Sequence, residues 1–162
     1  MCIRDCLLSG YLEKTNEPYA LAKICGIKLC QSLRKQYSFD AISLMPTNLY
    51  GPGDNFDPQN AMVVASLMAR IKAGEKPLKV WGDGTARRDF LFSEDAAEGI
   101  LLALQKGTRG EFVNIGSGKA IPISELVETL AEITDFSYEF DTSKPSGAPV
   151  SYTHLRAHET QR

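Results

Sequence analysis

The sequence has few histidines and cysteines, and it has no long apolar run. Its 162 residues include two histidines and four cysteines, and no two cysteines form a CxxC pair. Zinc sites and disulfide frameworks need denser sets of these residues, so we expect neither, and we expect reduced thiols. No run approaches the ~18 apolar residues of a membrane span, and residues 1–5 are too polar for a secretory signal. We therefore expect a cytoplasmic protein without a membrane segment.

The sequence also lacks an excess of positive charge. It has 18 Lys+Arg against 20 Asp+Glu, a formal net charge of -2. This balance excludes the broad basic surface that binds nucleic-acid backbones, but it leaves room for small basic pockets that bind a phosphate. With 43% apolar and 23% charged residues, the composition is typical of one soluble globular domain.

The two ends of the chain differ from its middle. Residues 151–162 show no strand alternation and contain both histidines. We interpret this tail, together with residues 1–5, as non-native adaptor sequence, which leaves residues 6–150 as the native part. His154 and His158 are four residues apart, as in some zinc sites, but no third ligand is near and no metal site is expected.

Helices and strands are predicted to alternate along the middle of the chain. Periodic apolar residues predict helices over about 17–36, 59–73, 93–107 and 124–134. Short apolar runs predict strands at 41–45, 79–81, 89–92, 112–115 and 138–140. This alternation favours an α/β fold with a largely parallel sheet. Such sheets bind ligands at the carboxyl ends of their strands.

Residues 46–49 follow the first predicted strand directly. Pro46, Thr47, Asn48 and Leu49 are therefore candidates for ligand contact, and the loop 50–60 behind them is rich in Gly, Pro, Asp and Asn. The alternative is that this stretch only connects a strand to a helix.

The sequence contains no complete glycine motif for phosphates. Gly116-Ser117-Gly118 follows a predicted strand, but Ile121 stands where GxGxxG has its third glycine, and there is no Walker A motif. We interpret residues 116–118 as a tight turn. If the protein uses a dinucleotide, the cradle for its phosphates is not in this chain.

Tyr19 and Lys23 form the strongest chemical pattern. They are four residues apart on a predicted helix and therefore share a face. The ammonium of Lys23 favours the phenolate form of Tyr19, which gives a general acid and base for an alcohol or carbonyl oxygen. By itself YxxxK is a short pattern, and the alternative is a surface Tyr and Lys on an amphipathic helix.

Several longer motifs accompany this pair. Over residues 7–149 the sequence resembles the extended short-chain dehydrogenases/reductases that act on nucleotide sugars, the NAD-dependent epimerase/dehydratase family. Within that family it is most similar to the GDP-L-fucose synthase group. The motifs that carry the resemblance are Asn16 to Lys23, Met45 to Pro52, Asp54 to Phe56, Trp81 to Gly84, Arg88 to Phe90, Asn114 to Gly118 and Thr142 to Pro145.

The resemblance implies roles for residues on the cofactor side. It implies that Tyr19 donates a proton to the sugar C4 oxygen and that Lys23 holds the nicotinamide ribose. It further implies that residues 46–49 line the nicotinamide side of NADP, or of NAD. It also implies a Rossmann-type fold whose first βαβ units, with the glycine-rich turn, lie upstream of this chain.

The resemblance also implies a substrate side. It implies that a nucleotide-diphosphate sugar, expected to be GDP-linked, contacts Asn48, Arg70, Trp81 and Arg88, with the arginines near its phosphates. The alternatives are exposed surface charges for the two arginines and core packing for Trp81. In this scheme residues 6–50 are the end of the Rossmann part, and residues 51–150 are mainly the substrate-binding part.

Two positions depart from the family pattern. The GDP-L-fucose synthases also epimerise their sugar, which takes an upstream cysteine and a histidine, but the position of that histidine is Met62 here. Methionine cannot carry a proton. Another residue substitutes, or the enzyme is a 4-epimerase, a dehydratase or a simple reductase for another nucleotide sugar. Ser146 stands where an aspartate usually follows Lys-Pro.

Two further expectations depend on the resemblance. The family commonly forms homodimers through the helix that carries YxxxK. Because the cofactor cradle is absent, we expect weak or no activity from the chain alone. A sugar-nucleotide-binding module without catalysis is therefore the alternative from another functional class.

Overall fold

The computed structural model describes residues 12, 14, 17–106, 112–147 and 150–151. Of the predicted adaptor residues 1–5 and 151–162, all but Ser151 lie outside the described residues, and both histidines are among those outside. The predicted helix cap Asn16 and the predicted helix end at Gly107 lie outside them too.

Helices and strands alternate through most of the described chain, as predicted. In chain order the elements are α1 (Glu17–Tyr37), β1 (Ser43–Pro46), β2 (Asn48–Tyr50), α2 (Val63–Lys72), β3 (Leu78–Trp81), β4 (Arg87–Phe92), α3 (Ser93–Lys106), β5 (Phe112–Ile115), β6 (Ala120–Pro122), α4 (Ile123–Thr134), β7 (Tyr138–Asp141) and β8 (Val150–Ser151). The four predicted helices and five predicted strands are all present. The short strands β2, β6 and β8 were not predicted, because two or three residues are too few to show an alternating pattern.

The second helix begins later than the sequence predicted. It starts at Val63 rather than near Gln59, because Asp57 organises the preceding residues into a turn. The Asp57 carboxylate accepts hydrogen bonds from the Gln59 backbone N–H at 3.1 Å and from the Asn60 side chain at 2.9 Å. The Asp57 carbonyl accepts two more, from the Asn60 N–H at 3.0 Å and from the Ala61 N–H at 2.8 Å. These local bonds compete with the helix, as expected for Asp and Asn.

The strands form three short sheets in which parallel pairs dominate. β1 pairs with β5, β3 pairs with β7, and β2 and β8 pair with β4, all in parallel. β6 pairs with β4 antiparallel, with Arg88 opposite Ile121. Because β1 and β5 pair, the first sheet joins a strand from the predicted Rossmann part to one from the predicted substrate part.

The main hydrophobic core lies between α2, β3, α4 and β7, which we call the α2–α4 unit. Leu78 on β3 and Val127 on α4 are fully buried, and Leu67 and Val80 are nearly so. Partly buried residues from all four elements complete the core, among them Ile71, Leu130 and Phe140. The helices α2 and α4 and the parallel strands β3 and β7 thus each bury one apolar face in this core.

Two other helices keep apolar residues at the surface. In α1 only Ile24 and Ile27 are buried, and in α3 only Ala96 is buried. Leu21 and Leu29 of α1 are exposed, as are four apolar residues of α3: Ile100, Leu101, Leu102 and Leu104. We refer to these two helices as the α1/α3 helices.

Candidate active site

Tyr19 and Lys23 lie together on the first turns of α1, as their spacing predicted. The Lys23 Nζ atom is 5.3 Å from the centroid of the Tyr19 ring. An ammonium group at this distance from an aromatic ring is attracted to it. The Tyr19 side chain is 65% exposed, so its hydroxyl is accessible to a ligand. The pair can therefore act as a proton donor and acceptor with a nearby positive charge.

The residues predicted at the carboxyl end of β1 bridge three strands. The Thr47 backbone N–H donates to the Ile115 carbonyl of β5 at 2.9 Å. The Asn48 side-chain amide donates to the Asp89 carbonyl of β4 at 2.8 Å. Pro46 ends β1, and Leu49 continues into β2 with its side chain exposed. Thr47 and Asn48 thus tie the end of β1 to β5 and β4, and the contact of residues 46–49 with a ligand stays a prediction.

Two buried side-chain oxygens near this edge have no hydrogen-bond partner within the part of the chain that the structure describes. They are Thr47 Oγ1 and Asn114 Oδ1, at the ends of the paired strands β1 and β5. Buried polar atoms in native proteins usually have partners, so unpaired ones at a strand edge are consistent with contact to a ligand or water. Their place matches the strand ends at which parallel sheets bind ligands.

The turn at residues 116–118 already holds an anion from the protein itself. The Asp89 carboxylate accepts hydrogen bonds from the backbone N–H groups of Ser117, at 3.1 Å, and of Gly118, at 3.2 Å. A phosphate cradle needs such N–H groups unoccupied. This agrees with the prediction of a tight turn rather than a phosphate site.

Arg88 lies on the face of β4 opposite Asp89, because side chains alternate along a strand. It is partly buried, and this burial lowers the pKa of its guanidinium from the ordinary value. The Arg88 Nη1 group donates to the Arg87 carbonyl at 2.8 Å. A Cβ built on Gly147 would lie 3.3 Å from Arg88 Nη2, so the backbone near Gly147 passes beside the guanidinium.

Trp81 ends β3 as a surface residue. Its side chain is 62% exposed, which rules out the alternative that it is only a core residue. The Lys144 Nζ atom lies 5.9 Å from the centroid of its ring. Residues 144–147 thus pass both Trp81 and Arg88, and they bring an aromatic ring and two positive charges to one segment. Such a group suits a base and a diphosphate.

Arg70 is held by an ion pair within the protein. Its Nε and Nη2 groups donate to the two carboxylate oxygens of Glu75 at 2.7 and 2.6 Å, and Nη2 also donates to the Lys79 carbonyl at 2.6 Å. The hydrogen bonds from Arg70 lower the pKa of Glu75 to about 2, and they raise the pKa of Arg70 in turn. In the described structure Arg70 therefore ties the end of α2 to β3, and its predicted contact with phosphate remains a prediction.

Sequence reasoning missed Asp89 and Lys144 as members of these groups. Asp89 lies in the predicted strand Asp89 to Phe92, where an acidic residue gives no sign of being buried. Lys144 follows β7 in a turn whose approach to Trp81 depends on the tertiary fold. The structure brings together Tyr19 with Lys23, Asn48 with Asp89, and Trp81 with Lys144.

Residues 4–116 match the NAD dependent epimerase/dehydratase family. The chain belongs to this family. It is 48% identical over 153 residues to the GDP-L-fucose synthase of Sinorhizobium fredii, covering 90% of this chain and 48% of the relative. It is 46% identical over 149 residues to the probable GDP-L-fucose synthase 1 of Oryza sativa subsp. japonica, covering 88% of this chain and 45% of the relative.

A solved structure has a similar fold. RMD from Pseudomonas aeruginosa, solved with NADPH, superposes with a TM-score of 0.70 and is 31% identical, covering 86% of this chain and 47% of that chain. These findings confirm the predicted α/β fold of the Rossmann-type family members. The chain spans about half the length of the curated relatives that it matches. Among the described residues, no helix has the length and apolar character needed to cross a membrane.

Proposed function

We propose that the chain carries the acid/base pair and the substrate side of an NADP- or NAD-dependent nucleotide-sugar epimerase/reductase. The observation that carries this proposal is the Tyr19 and Lys23 pair, with the Nζ atom 5.3 Å from the ring centroid at the accessible start of α1. In this role Tyr19 exchanges a proton with the C4 oxygen of the sugar. The neighbouring ammonium of Lys23 stabilises the phenolate that remains after proton donation.

The residues at the end of β1 fit the nicotinamide side of the cofactor. Thr47 Oγ1 is buried there with no hydrogen-bond partner among the described residues, and the loop 51–60 that follows is mostly exposed. Tyr19, Lys23 and residues 46–49 would hold this side of NADP or NAD. When bound, the cofactor supplies or takes up a hydride at the sugar C4 carbon. Because the turn at 116–118 is filled by Asp89, we propose that the cofactor phosphates are bound by another part of a longer protein.

We propose a GDP-linked sugar as the substrate. The exposed ring of Trp81 offers a stacking surface for a base, and Arg88 and Lys144 offer charge for a diphosphate. The relatives in Sinorhizobium fredii and Oryza sativa carry names that specify GDP-L-fucose. The division into a Rossmann part (6–50) and a mainly substrate-binding part (51–150), the cytoplasmic location and the homodimer belong to the same proposal.

Replacing the proton donor tests the proposed function. In the longer enzyme, Tyr19→Phe should lower kcat by about 100-fold or more, the usual contribution of a general acid. Tyr37→Phe, at the exposed other end of the same helix, is the matched control and should keep normal turnover. Normal turnover by Tyr19→Phe would contradict the assignment.

The methionine at position 62 raises the question of whether the reaction includes epimerisation or is a reduction alone. It precedes α2 with an exposed side chain that cannot transfer protons. With solvent deuterium, label at C3 and C5 of the product would indicate epimerisation by another residue, whereas no label would indicate reduction alone. A 4-epimerase or dehydratase that uses the same Tyr19 and Lys23 pair is the second candidate.

A further inference from the structure

Asp89 is a buried acid that the proposed reaction does not use. Its side chain is 1% exposed, in the middle of β4. The Oδ1 atom accepts hydrogen bonds from the Ser117 N–H, at 3.1 Å, and the Ser117 hydroxyl, at 2.6 Å, and Oδ2 accepts one from the Gly118 N–H at 3.2 Å. A buried carboxylate is costly unless it is hydrogen-bonded in this way. The turn between β5 and β6 is thus built around one side chain.

The same residue contacts the end of β1 in two ways. Its main-chain carbonyl accepts the hydrogen bond from the Asn48 side chain at 2.8 Å. Its carboxylate and the Thr47 side chain also both lie close to Gly116. A Cβ on Gly116 would lie 2.7 Å from Asp89 Oδ2 and 2.7 Å from Thr47 Cγ2. Asp89 therefore connects the 116–118 turn to Thr47 and Asn48.

We propose that Asp89 is a positioning residue that fixes Thr47 and Asn48 for ligand binding. The inference rests on the proposed function, which gives these two residues to the cofactor and the substrate. Asp89 acts through its neighbours, because its carboxylate is enclosed and already accepts three hydrogen bonds. Arg88, the neighbouring residue, lies on the opposite face of β4, near Gly147.

An amide cannot replace this carboxylate. Every bond at the Asp89 oxygens comes from a donor, and asparagine would offer one oxygen and one NH₂ group. The NH₂ group would face an N–H donor at one of the two positions. Asp89→Asn therefore keeps the size of the side chain but should release one side of the 116–118 turn.

The test uses the 162-residue chain labelled with ¹⁵N. Asp89→Asn should shift the amide signals of Thr47, Ser117 and Gly118 and the side-chain amide of Asn48, while Val80 and Val127 in the α2–α4 unit stay unchanged. Its affinity for GDP-L-fucose, measured by calorimetry, should fall about 10-fold, the factor that corresponds to ~1.4 kcal/mol. Unmoved signals of Thr47 and Asn48, or an unchanged affinity, would overturn the proposal.

A milder variant keeps the test decisive if Asp89→Asn does not fold. Ser117→Ala removes one hydroxyl bond to Asp89 and should move the same signals, with a smaller loss of affinity. Thr85→Ala removes a comparable hydroxyl bond to Asp83, 2.7 Å long, in an exposed turn, and should leave the signals of Thr47 and Asn48 in place.

Two further outcomes distinguish a positioning role of Asp89 from a purely structural role and from a failure of the proposed function. Val127→Ala destabilises the α2–α4 unit and should lower the melting temperature with the affinity unchanged, measured well below that temperature. If Asp89→Asn behaved in the same way, its role would be stability alone and the proposal would be wrong. If the unaltered chain bound no GDP-L-fucose, the proposed function would fail instead, and the signals of Thr47 and Asn48 would decide the role of Asp89.

Discussion

The α2–α4 unit and the α1/α3 helices bury their apolar residues to different extents. In the α2–α4 unit two helices and two strands bury Leu67, Leu78, Val80 and Val127 against one another. The α1/α3 helices bury only Ile24, Ile27 and Ala96 and leave many apolar side chains exposed. A helical pattern thus predicts which face is apolar, but burial depends on the partner that the fold supplies.

This difference follows the proposed division of function. Trp81, which we propose to stack on the base of the nucleotide, lies at the end of β3 in the well-packed α2–α4 unit. The proton donor Tyr19 is on α1, which contributes little to that core. We therefore expect stability to depend mainly on the α2–α4 unit, sugar-nucleotide binding on the exposed residues at its edge such as Trp81, and catalysis on how α1 is supported.

The largest effect should come from truncating a core leucine. Leu78 is 0% exposed, and Leu78→Ala should lower the free energy of unfolding by about 2–5 kcal/mol, as for other buried leucines. Leu104 on α3 is 66% exposed, and Leu104→Ala should change it by less than about 0.5 kcal/mol. Urea denaturation of both variants measures the contrast. Equal losses would show that α3 is as well packed as β3.

Two glycines test the same contrast at the level of the backbone. Gly84 and Gly53 both have positive φ, +77° and +81°, so alanine is strained at either position. At Gly84 the added Cβ would also lie 2.6 Å from Phe140 in the α2–α4 core, whereas nothing lies within 4 Å at Gly53. Gly84→Ala should therefore cost about 1–3 kcal/mol more than Gly53→Ala. Similar melting temperatures for the two variants would argue against tight packing at Gly84.

The smallest effect should come from the ion pair between Arg70 and Glu75. The pKa of Glu75 is lowered from 4.5 to about 2, so its charged form stabilises the fold above pH 4.5, and this stabilisation is lost as the pH falls toward 2. Glu75→Gln should cost about 1 kcal/mol or less at pH 7, because the pair is partly exposed and screened.

The control for this pH dependence is Glu132→Gln, at an exposed position on α4. Urea denaturation at several pH values should show the stability difference between the unaltered chain and Glu75→Gln shrinking below pH 4.5, with no such trend for Glu132→Gln. A difference that stayed constant down to pH 3 would contradict the lowered pKa.

The sequence was sufficient for the order and type of the main elements, because each has a clear apolar period. The apolar period did not reveal local hydrogen bonds that compete with helix formation. The turn around Asp57 therefore makes α2 begin at Val63, later than predicted. The pairing of β1 with β5 was equally hidden, since strand partners far apart in the chain leave no local signal.

The candidate site was predictable where function fixes a short spacing. Tyr19 and Lys23 meet because they share a helix face, and residues 46–49 lie at a strand end as expected. Contacts that depend on tertiary structure were not predictable. Asp89 is buried under a turn 28 residues further along the chain, and Arg70 bonds to Glu75 within the fold.

The most direct test of the proposed division is calorimetry of the 162-residue chain with GDP-L-fucose and, separately, with NADP. Trp81 and Arg88, which we propose to bind the nucleotide, are among the described residues, whereas in the same part of the chain the Asp89 carboxylate fills the glycine turn that follows β5. We expect GDP-L-fucose to bind and NADP to bind much more weakly. Tight binding of NADP, or no binding of GDP-L-fucose, would contradict this account.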